Sequence, residues 1–231
     1  MKTVEAVLID AGGVLVLPGR AAVSAALGPG QWREEPTILD RAHYRAVAAV
    51  DEARPPSDRA IVPVYVVAYL EALGVPPDRT DVAHRLARIL DTGTPSWTTV
   101  VPSSVEALRG FADARRRVVI VSNSQGWMAR HLHELAVCQV GPGPGAAVSA
   151  VVDSALVGAE KPDPRIFVAA LEAAGSSAER AVHVGDSVWF DIEGALATGL
   201  GAVHFDPHHL CPIRAHEHVA SLGELDLGTA P

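Results

Sequence analysis

Four stretches of this 231-residue sequence carry side chains suited to one chemistry. The first is Val4-Glu5-Ala6-Val7-Leu8-Ile9, which ends in Asp10-Ala11-Gly12-Gly13. A β-branched run that stops at an aspartate and two glycines puts a carboxylate at the carboxyl end of a buried strand, where open α/β sheets bind ligands. Taken alone, Asp10 could equally cap a turn that the glycines permit. The second is Arg117-Val118-Val119-Ile120-Val121, which ends at Ser122-Asn123-Ser124. The third is Glu160-Lys161-Pro162-Asp163-Pro164, and the fourth is Ala181-Val182-His183-Val184 followed by Gly185-Asp186-Ser187, with Asp191 five residues after Asp186. Only two lysines occur among the 19 Lys and Arg residues, so Lys161 inside a motif is not general surface charge. In a parallel sheet all four stretches end on the same carboxyl edge. Two or three carboxylates there suit Mg²⁺, a lysine and a serine hydroxyl suit phosphoryl oxygens, and one carboxylate can attack phosphorus. Asp10 is the nucleophile in that reading, and catalysis comes mostly from positioning and charge neutralisation.

Such convergence needs a sheet that is wound in parallel. From Ala21 to about Leu90 the sequence reads as helices without strand alternation. Val62, Tyr65, Val66, Tyr69, Leu70 and Leu73 recur at helical spacing, with Pro63 in the first turn and Gly74 as the stop. Val82, Leu86, Ile89 and Leu90 behind Thr80-Asp81 predict another helix, and a looser pattern surrounds Leu39 to Val50. Pro18-Gly19 on entry, with Pro95 and Pro102 on exit, mark two linkers, as for a domain inserted into another. Alternation of helix and strand then resumes with a capping-box pattern, Ser103-Ser104-Val105-Glu106, and a helix through Leu108 and Phe111. After the Ser122 strand come a helix through Trp127, Leu132 and Leu135, a Gly-Pro loop and a strand over Val148 to Val152. A helix from Pro164 to Ala174 stops at Gly175, and one through Ile192 and Leu196 stops at Gly199 before a last strand, Ala202 to Phe205. Five short strands separated by helices predict an α/β fold, a doubly wound parallel five-stranded sheet of Rossmann type. It takes residues 1–18 and 101–231, and an inserted α-helical domain takes 19–100.

With these motifs in this order the chain resembles the haloacid dehalogenase superfamily, Mg²⁺-dependent phosphatases and relatives that pass through an aspartyl-phosphate. The likeness runs from Val4 to about Phe205, with the helical insert in the place of that family's cap domain. It implies that Asp10 is the nucleophile and that Ser122 binds phosphate; Asn123, beside Ser122, reads as a phosphate contact, a cap of the following helix, or both. It further implies that Lys161 steadies nucleophile and phosphate, and that Asp186 and Asp191 join Asp10 and the Gly12 carbonyl around Mg²⁺. One position departs from the pattern. Phosphatases of this family carry a second aspartate two residues after the nucleophile, which protonates the leaving oxygen and then activates water; here that residue is Gly12. Such a group typically contributes ~10²- to 10⁴-fold. The expected function is therefore a phosphatase of a small phosphorylated metabolite. The alternatives are a catalytically poor or inactive relative that binds a phosphorylated ligand or a protein, and a non-phosphatase hydrolase of dehalogenase type. Dehalogenases carry a bulkier residue at the Gly12 position and do not use the metal site that Asp186 and Asp191 imply. Caps of this kind close over the active site, so His43 or His84 could replace the missing acid–base group, against the plainer reading of helix-surface histidines.

Composition sets the remaining limits. A formal net charge of −8, with no basic run beyond Arg115-Arg116-Arg117, argues against nucleic acid or an anionic membrane as the main partner. That run reads as the solvated end of a helix. Two cysteines, Cys138 and Cys211, and no apolar run long enough to span a bilayer suggest a cytoplasmic protein with reduced thiols. His204, His208, His209, Cys211, His216 and His218 crowd the last stretch, but their spacing fits no zinc pattern and they read as a solvated loop. Trp127 and Trp189 sit just past strand ends, where they either line a pocket or pack helices on the sheet.

Overall fold

The computed structural model describes residues 4–30, 32–33, 35–55, 58–91 and 96–228. In chain order, β1 (Ala6–Asp10) leads through β2 (Val16–Leu17) to α1 (Arg20–Leu27), α2 (Pro36–Ala53), α3 (Asp58–Ala72) and α4 (Thr80–Asp91). Next come β3 (Thr99–Val100), α5 (Pro102–Asp113), β4 (Arg117–Ser122), α6 (Met128–Glu134), β5 (Cys138–Val140), β6 (Ala146–Val148) and β7 (Ala150–Asp153). The chain continues with α7 (Ser154–Val157), α8 (Pro164–Ala174), β8 (Ala181–Gly185), a π-helical turn Val188–Glu193, α9 (Gly194–Ala197), β9 (Gly201–Phe205) and β10 (Glu217–Val219). The chain divides into two compact units, Met1–Leu15 with Val100–Pro231 and, between them, Val16–Thr99.

The first unit is built on a six-stranded sheet in the order β10-β9-β8-β1-β4-β7, with parallel pairing throughout. Sequence periodicity predicts five strands; the sixth, β10, is three residues of mixed polarity at the sheet edge and carries no alternation to read. The strand expected over Val148 to Val152 is two: β6, which pairs with β5 in a separate ribbon, and β7 in the main sheet. β1 lies centrally between β4 and β8, and all five of its residues are buried, as a strand covered on both faces requires. One face packs Ile166, Phe167 and Ala170 of α8 against Leu8, Val119 and Val121. α8 forms where its ends are specified: Asp163 caps the Arg165 N–H, Pro164 takes the first turn, and Gly175 closes it at φ +58°.

Two local expectations are corrected here. α5 begins at Pro102 behind Val101 with no side-chain cap, so the Ser103–Glu106 capping box does not form and Ser104 is buried inside the helix. Arg116 is likewise buried, its guanidinium donating to the carbonyls of Val4 and Gly228, while Arg117 opens β4 and pairs with Glu5. Backbone carbonyls far apart in sequence give that guanidinium two acceptors, which a charge-run reading has no means to foresee.

Among the described residues the second unit contains four helices, with α2 and α3 packed as a pair and α4 against both α1 and α3. α3 starts at Asp58, earlier than the apolar spacing predicts, so Pro63 lies inside the helix and not in its first turn. Gly74 ends it in the left-handed region at φ +77°. Pro95, expected in the exit linker, lies outside the described residues. His43 is 1% exposed, with Nδ1 2.8 Å from the Tyr65 hydroxyl and the Trp97 ring edge-on at 5.3 Å. Burial lowers its pKa to about 3 against a weaker upward pull from Asp40, so the imidazole is neutral. The helix-surface expectation for His43 is corrected: the residue is part of the unit's own packing. His84 is exposed on α4.

Candidate active site

Four of the sequence-predicted residues meet in one buried cluster at the carboxyl ends of β1 and β8. Lys161 Nζ is 2.6 Å from Asp10 Oδ1 and 2.7 Å from Asp191 Oδ1. Carboxylate oxygens of Asp10, Asp186 and Asp191 all lie within 4.8 Å of one another. None of the four residues is more than 7% exposed. Ser122, at the end of β4 beside β1, is also buried.

The local sequence explains the placement. Asp10 ends the central strand, and Gly13 turns the chain away at φ +75°, while Gly12 is not in the left-handed region. After β8 the chain makes a π-helical turn, capped by Ser187 Oγ accepting from the Phe190 N–H at 3.0 Å. That wide turn brings Asp191 back onto Gly185, where a Cβ would lie 2.1 Å from the Asp191 Cγ. Glycine at 185 is thus required by the carboxylate that packs on it. Asn123 holds the lysine loop from both sides: its amide donates to the Lys161 carbonyl at 3.0 Å and its oxygen accepts from the Lys161 N–H at 2.7 Å. Asn123 does not cap α6, which has no side-chain cap, and one N–H of its amide is left beyond the bond to the Lys161 carbonyl.

Two supporting residues were not singled out by sequence reasoning. His183, fully buried in mid-strand, contacts Asp191 Oδ1 through Nε2 at 2.8 Å and meets the Phe167 ring edge-on. Burial lowers its pKa despite the Asp191 carboxylate, so the neutral ring donates its Nε2–H and Nδ1 has no hydrogen-bond partner among the described residues. Asp153, at the end of β7, accepts from Ser124 Oγ and from the backbone N–H groups of Gly126, Met128 and Ala155, tying the loop after Ser122 to the next strand. A mid-strand histidine and a strand-terminal aspartate are signals in the sequence, but only tertiary contact gives them a role. Trp127 packs edge-on against His131.

Electrostatics sort the acids. Burial pushes Asp10 up to about 8, partly opposed by Lys161 and reinforced by Asp191 and Asp186. Asp191 is driven the other way: burial raises it, but Lys161 and the His183 hydrogen bond outweigh this and hold it ionised. Lys161 stays protonated because Asp10 and Asp191 offset its burial. Three buried carboxyl groups share one ammonium, too little positive charge to hold Asp10 ionised, and the donor set is all oxygen. Both features fit a hard divalent cation such as Mg²⁺.

The sequence model of the haloacid dehalogenase-like hydrolases matches residues 4–199. A phosphoserine phosphatase of Thermus thermophilus is 37% identical over 108 residues, 46% of this chain and 41% of that protein. Mouse haloacid dehalogenase-like hydrolase domain-containing protein 3 is 33% identical over 129 residues, 55% of this chain and 48% of that protein. The chain thus spans less than half the length of the curated relatives it matches. Among solved structures, a haloacid dehalogenase-type phosphatase from Thermococcus onnurineus superposes with a TM-score of 0.57 at 18% identity, covering 95% of both chains. The magnesium-bound hydrolase YfnB of Bacillus subtilis gives 0.61 at 16% identity, over 96% of this chain and 97% of that one. These likenesses show the fold. No helix among the described residues is long and apolar enough to cross a membrane. With the family match across most of its length and the same sheet beneath its motifs, the chain belongs to the haloacid dehalogenase-like hydrolases.

Proposed function

We propose that this protein is a Mg²⁺-dependent phosphatase of a small phosphorylated metabolite, acting through an aspartyl-phosphate on Asp10. The observation that carries the reading is the buried Lys161 ammonium, which bridges the Asp10 and Asp191 carboxylates with Asp186 beside them. Asp10, Asp186, Asp191 and the Gly12 carbonyl would hold Mg²⁺, which when bound neutralises charge on the transferring phosphoryl group and keeps Asp10 ionised. An Asp10 carboxylate oxygen attacks phosphorus, and the bond from phosphorus to the leaving oxygen breaks with its electron pair going to that oxygen. Lys161 and the Ser122 hydroxyl donate to the phosphoryl oxygens. Water, after giving one proton to the leaving oxygen or to solvent, attacks phosphorus, and the bond from phosphorus to the Asp10 oxygen breaks with its electron pair returning to the carboxylate as inorganic phosphate leaves. His183 and Ser187 N–H keep Asp191 ionised and oriented. The matched phosphoserine phosphatase favours a phosphate ester as substrate over the halogenated acid of a dehalogenase.

Gly12 favours a second reading, a poorly active relative that binds a phosphorylated ligand or a protein partner, because no side chain at that position protonates the leaving oxygen. A panel of phosphate esters, assayed with Mg²⁺ and with chelator, separates the two. Mg²⁺-dependent turnover that Asp10→Asn abolishes is expected. Phosphorylated ligands that bind without turnover of any ester would favour the second reading.

A further inference from the structure

The stretch that reads as a solvated loop contains a second, separate cluster. His204 lies on β9 and is buried, Cys211 lies in the loop that follows, and His216 and His218 sit just before and within β10. One ligand atom from each of these four residues lies within 4.8 Å of all the others. His208 and His209 are outside the set. Local spacing hides the cluster because its ligands come from two parallel strands and a loop: the register pairs His218 with His204.

The side chains are held as metal ligands are held. His204 Nε2–H donates to the Asp186 carbonyl at 2.9 Å, leaving the Nδ1 lone pair 3.2 Å from His216 Nε2. His218 Nε2–H donates to the Ile213 carbonyl at 2.9 Å and leaves Nδ1 for a metal. Fixing the outer N–H of an imidazole on a carbonyl is the usual way of aiming its other nitrogen. Cys211 Sγ is 3.7 Å from His216 Nε2. Tetrahedral zinc, with ordinary Zn–N and Zn–S bonds, has N···N edges of about 3.4 Å and N···S edges of about 3.6 Å. The two observed separations lie close to these edges. Asp206 accepts from the N–H groups of Leu210 at 2.8 Å and Cys211 at 3.0 Å, which fixes the loop that carries the thiol. A dication with one thiolate and three neutral imidazoles keeps a single positive charge, and the Asp206 carboxylate, 3.5 Å from His218 Nδ1, lies where it offsets that charge.

We propose that His204, Cys211, His216 and His218 form a structural zinc site that fastens the C-terminal segment to the loop carrying Asp186. Nitrogen and sulfur ligands select zinc here, as the all-oxygen set at Asp10 selects magnesium. Four protein ligands close the coordination sphere, which marks a structural and not a catalytic ion.

The test uses untagged full-length protein, reconstituted with Zn²⁺ and dialysed, with zinc measured by mass spectrometry. One zinc per chain is expected in the wild type, and loss of that zinc in Cys211→Ser and in His216→Ala. Chelator should lower the melting temperature of the wild type and leave that of Cys211→Ser unchanged. Zinc retained equally by both variants would place the ion elsewhere and overturn the assignment. Co²⁺ substitution of the wild type needs no variant to fold: a thiolate-to-cobalt charge-transfer band is expected, with Cys211 as its source because Cys138 is fully buried in β5. No zinc after reconstitution, or no such band, would overturn the proposal.

Discussion

Acid should weaken the helical unit through one residue, His43. Its ordinary pKa of 6.5 falls to about 3 in the folded protein, because burial disfavours the imidazolium. Between those values the unfolded chain binds more protons than the folded one, so stability falls as pH falls. The stabilisation is fully present above the unfolded pKa and is lost progressively toward the folded one. From pH 7 to pH 5 the loss from this residue alone is about 2 kcal/mol, at 1.36 kcal/mol per pKa unit. Other groups titrate over the same range, so the comparison needs a variant. His43→Asn keeps a polar group beside Tyr65 but does not titrate there. Urea unfolding followed by tryptophan fluorescence suits the measurement, because the Trp97 ring lies against His43. The wild type should lose about 2 kcal/mol more than His43→Asn between pH 7 and pH 5. An equal loss in the two proteins would refute the reasoning and leave the imidazole free to charge. If His43 is packing and not a proton carrier, the variant should also keep the pH–rate profile of the wild type.

Gly12 makes two kinetic predictions: aryl and acyl phosphates should turn over much faster than alkyl phosphates, and the aspartyl-phosphate should accumulate as a burst. Gly12→Asp should raise alkyl-phosphate turnover by ~10²-fold or more. The left-handed φ of that turn belongs to Gly13, so aspartate at 12 meets no backbone penalty of that kind. Rapid alkyl-phosphate hydrolysis by the wild type without a burst would mean that another group supplies the proton. Asp153→Ala should destabilise the core unit by about 3 kcal/mol, because the buried Met128 N–H, the Gly126 N–H and the Ser124 hydroxyl lose their acceptor together. Calorimetry should show a drop of roughly 6–12 °C; a change under a degree would mean that water replaces the carboxylate without loss.

The sequence makes most of the site legible because each ingredient is local. A β-branched run ending in a polar residue marks a strand and its functional end, which locates Asp10, Ser122 and Asp186. Lys161 is noticeable because lysine is scarce, and parallel winding carries all of them to one edge. What depends on tertiary contact is not legible. His183 looks like any strand residue until Asp191 folds back over Gly185, and nothing local in Asn123 shows that its amide holds the Lys161 backbone from both sides. His43 is covered by Tyr65 of α3 and by Trp97, both distant in sequence, so helical spacing alone leaves it on a surface. β10 escapes notice because three residues are too few for a period, and with it goes the pairing that joins His218 to His204.

The central claim is that Asp10 carries the phosphoryl group. Its most direct test is to quench the protein during turnover of an acyl phosphate with Mg²⁺ and reduce it with borohydride, which converts an aspartyl-phosphate to homoserine. The tryptic peptide spanning residues 3–20, whose only aspartate is Asp10, is then analysed by mass spectrometry. The account predicts homoserine at position 10, absent without substrate and absent in Lys161→Ala. Turnover with an unmodified Asp10, or with reduction at another carboxylate, would contradict it.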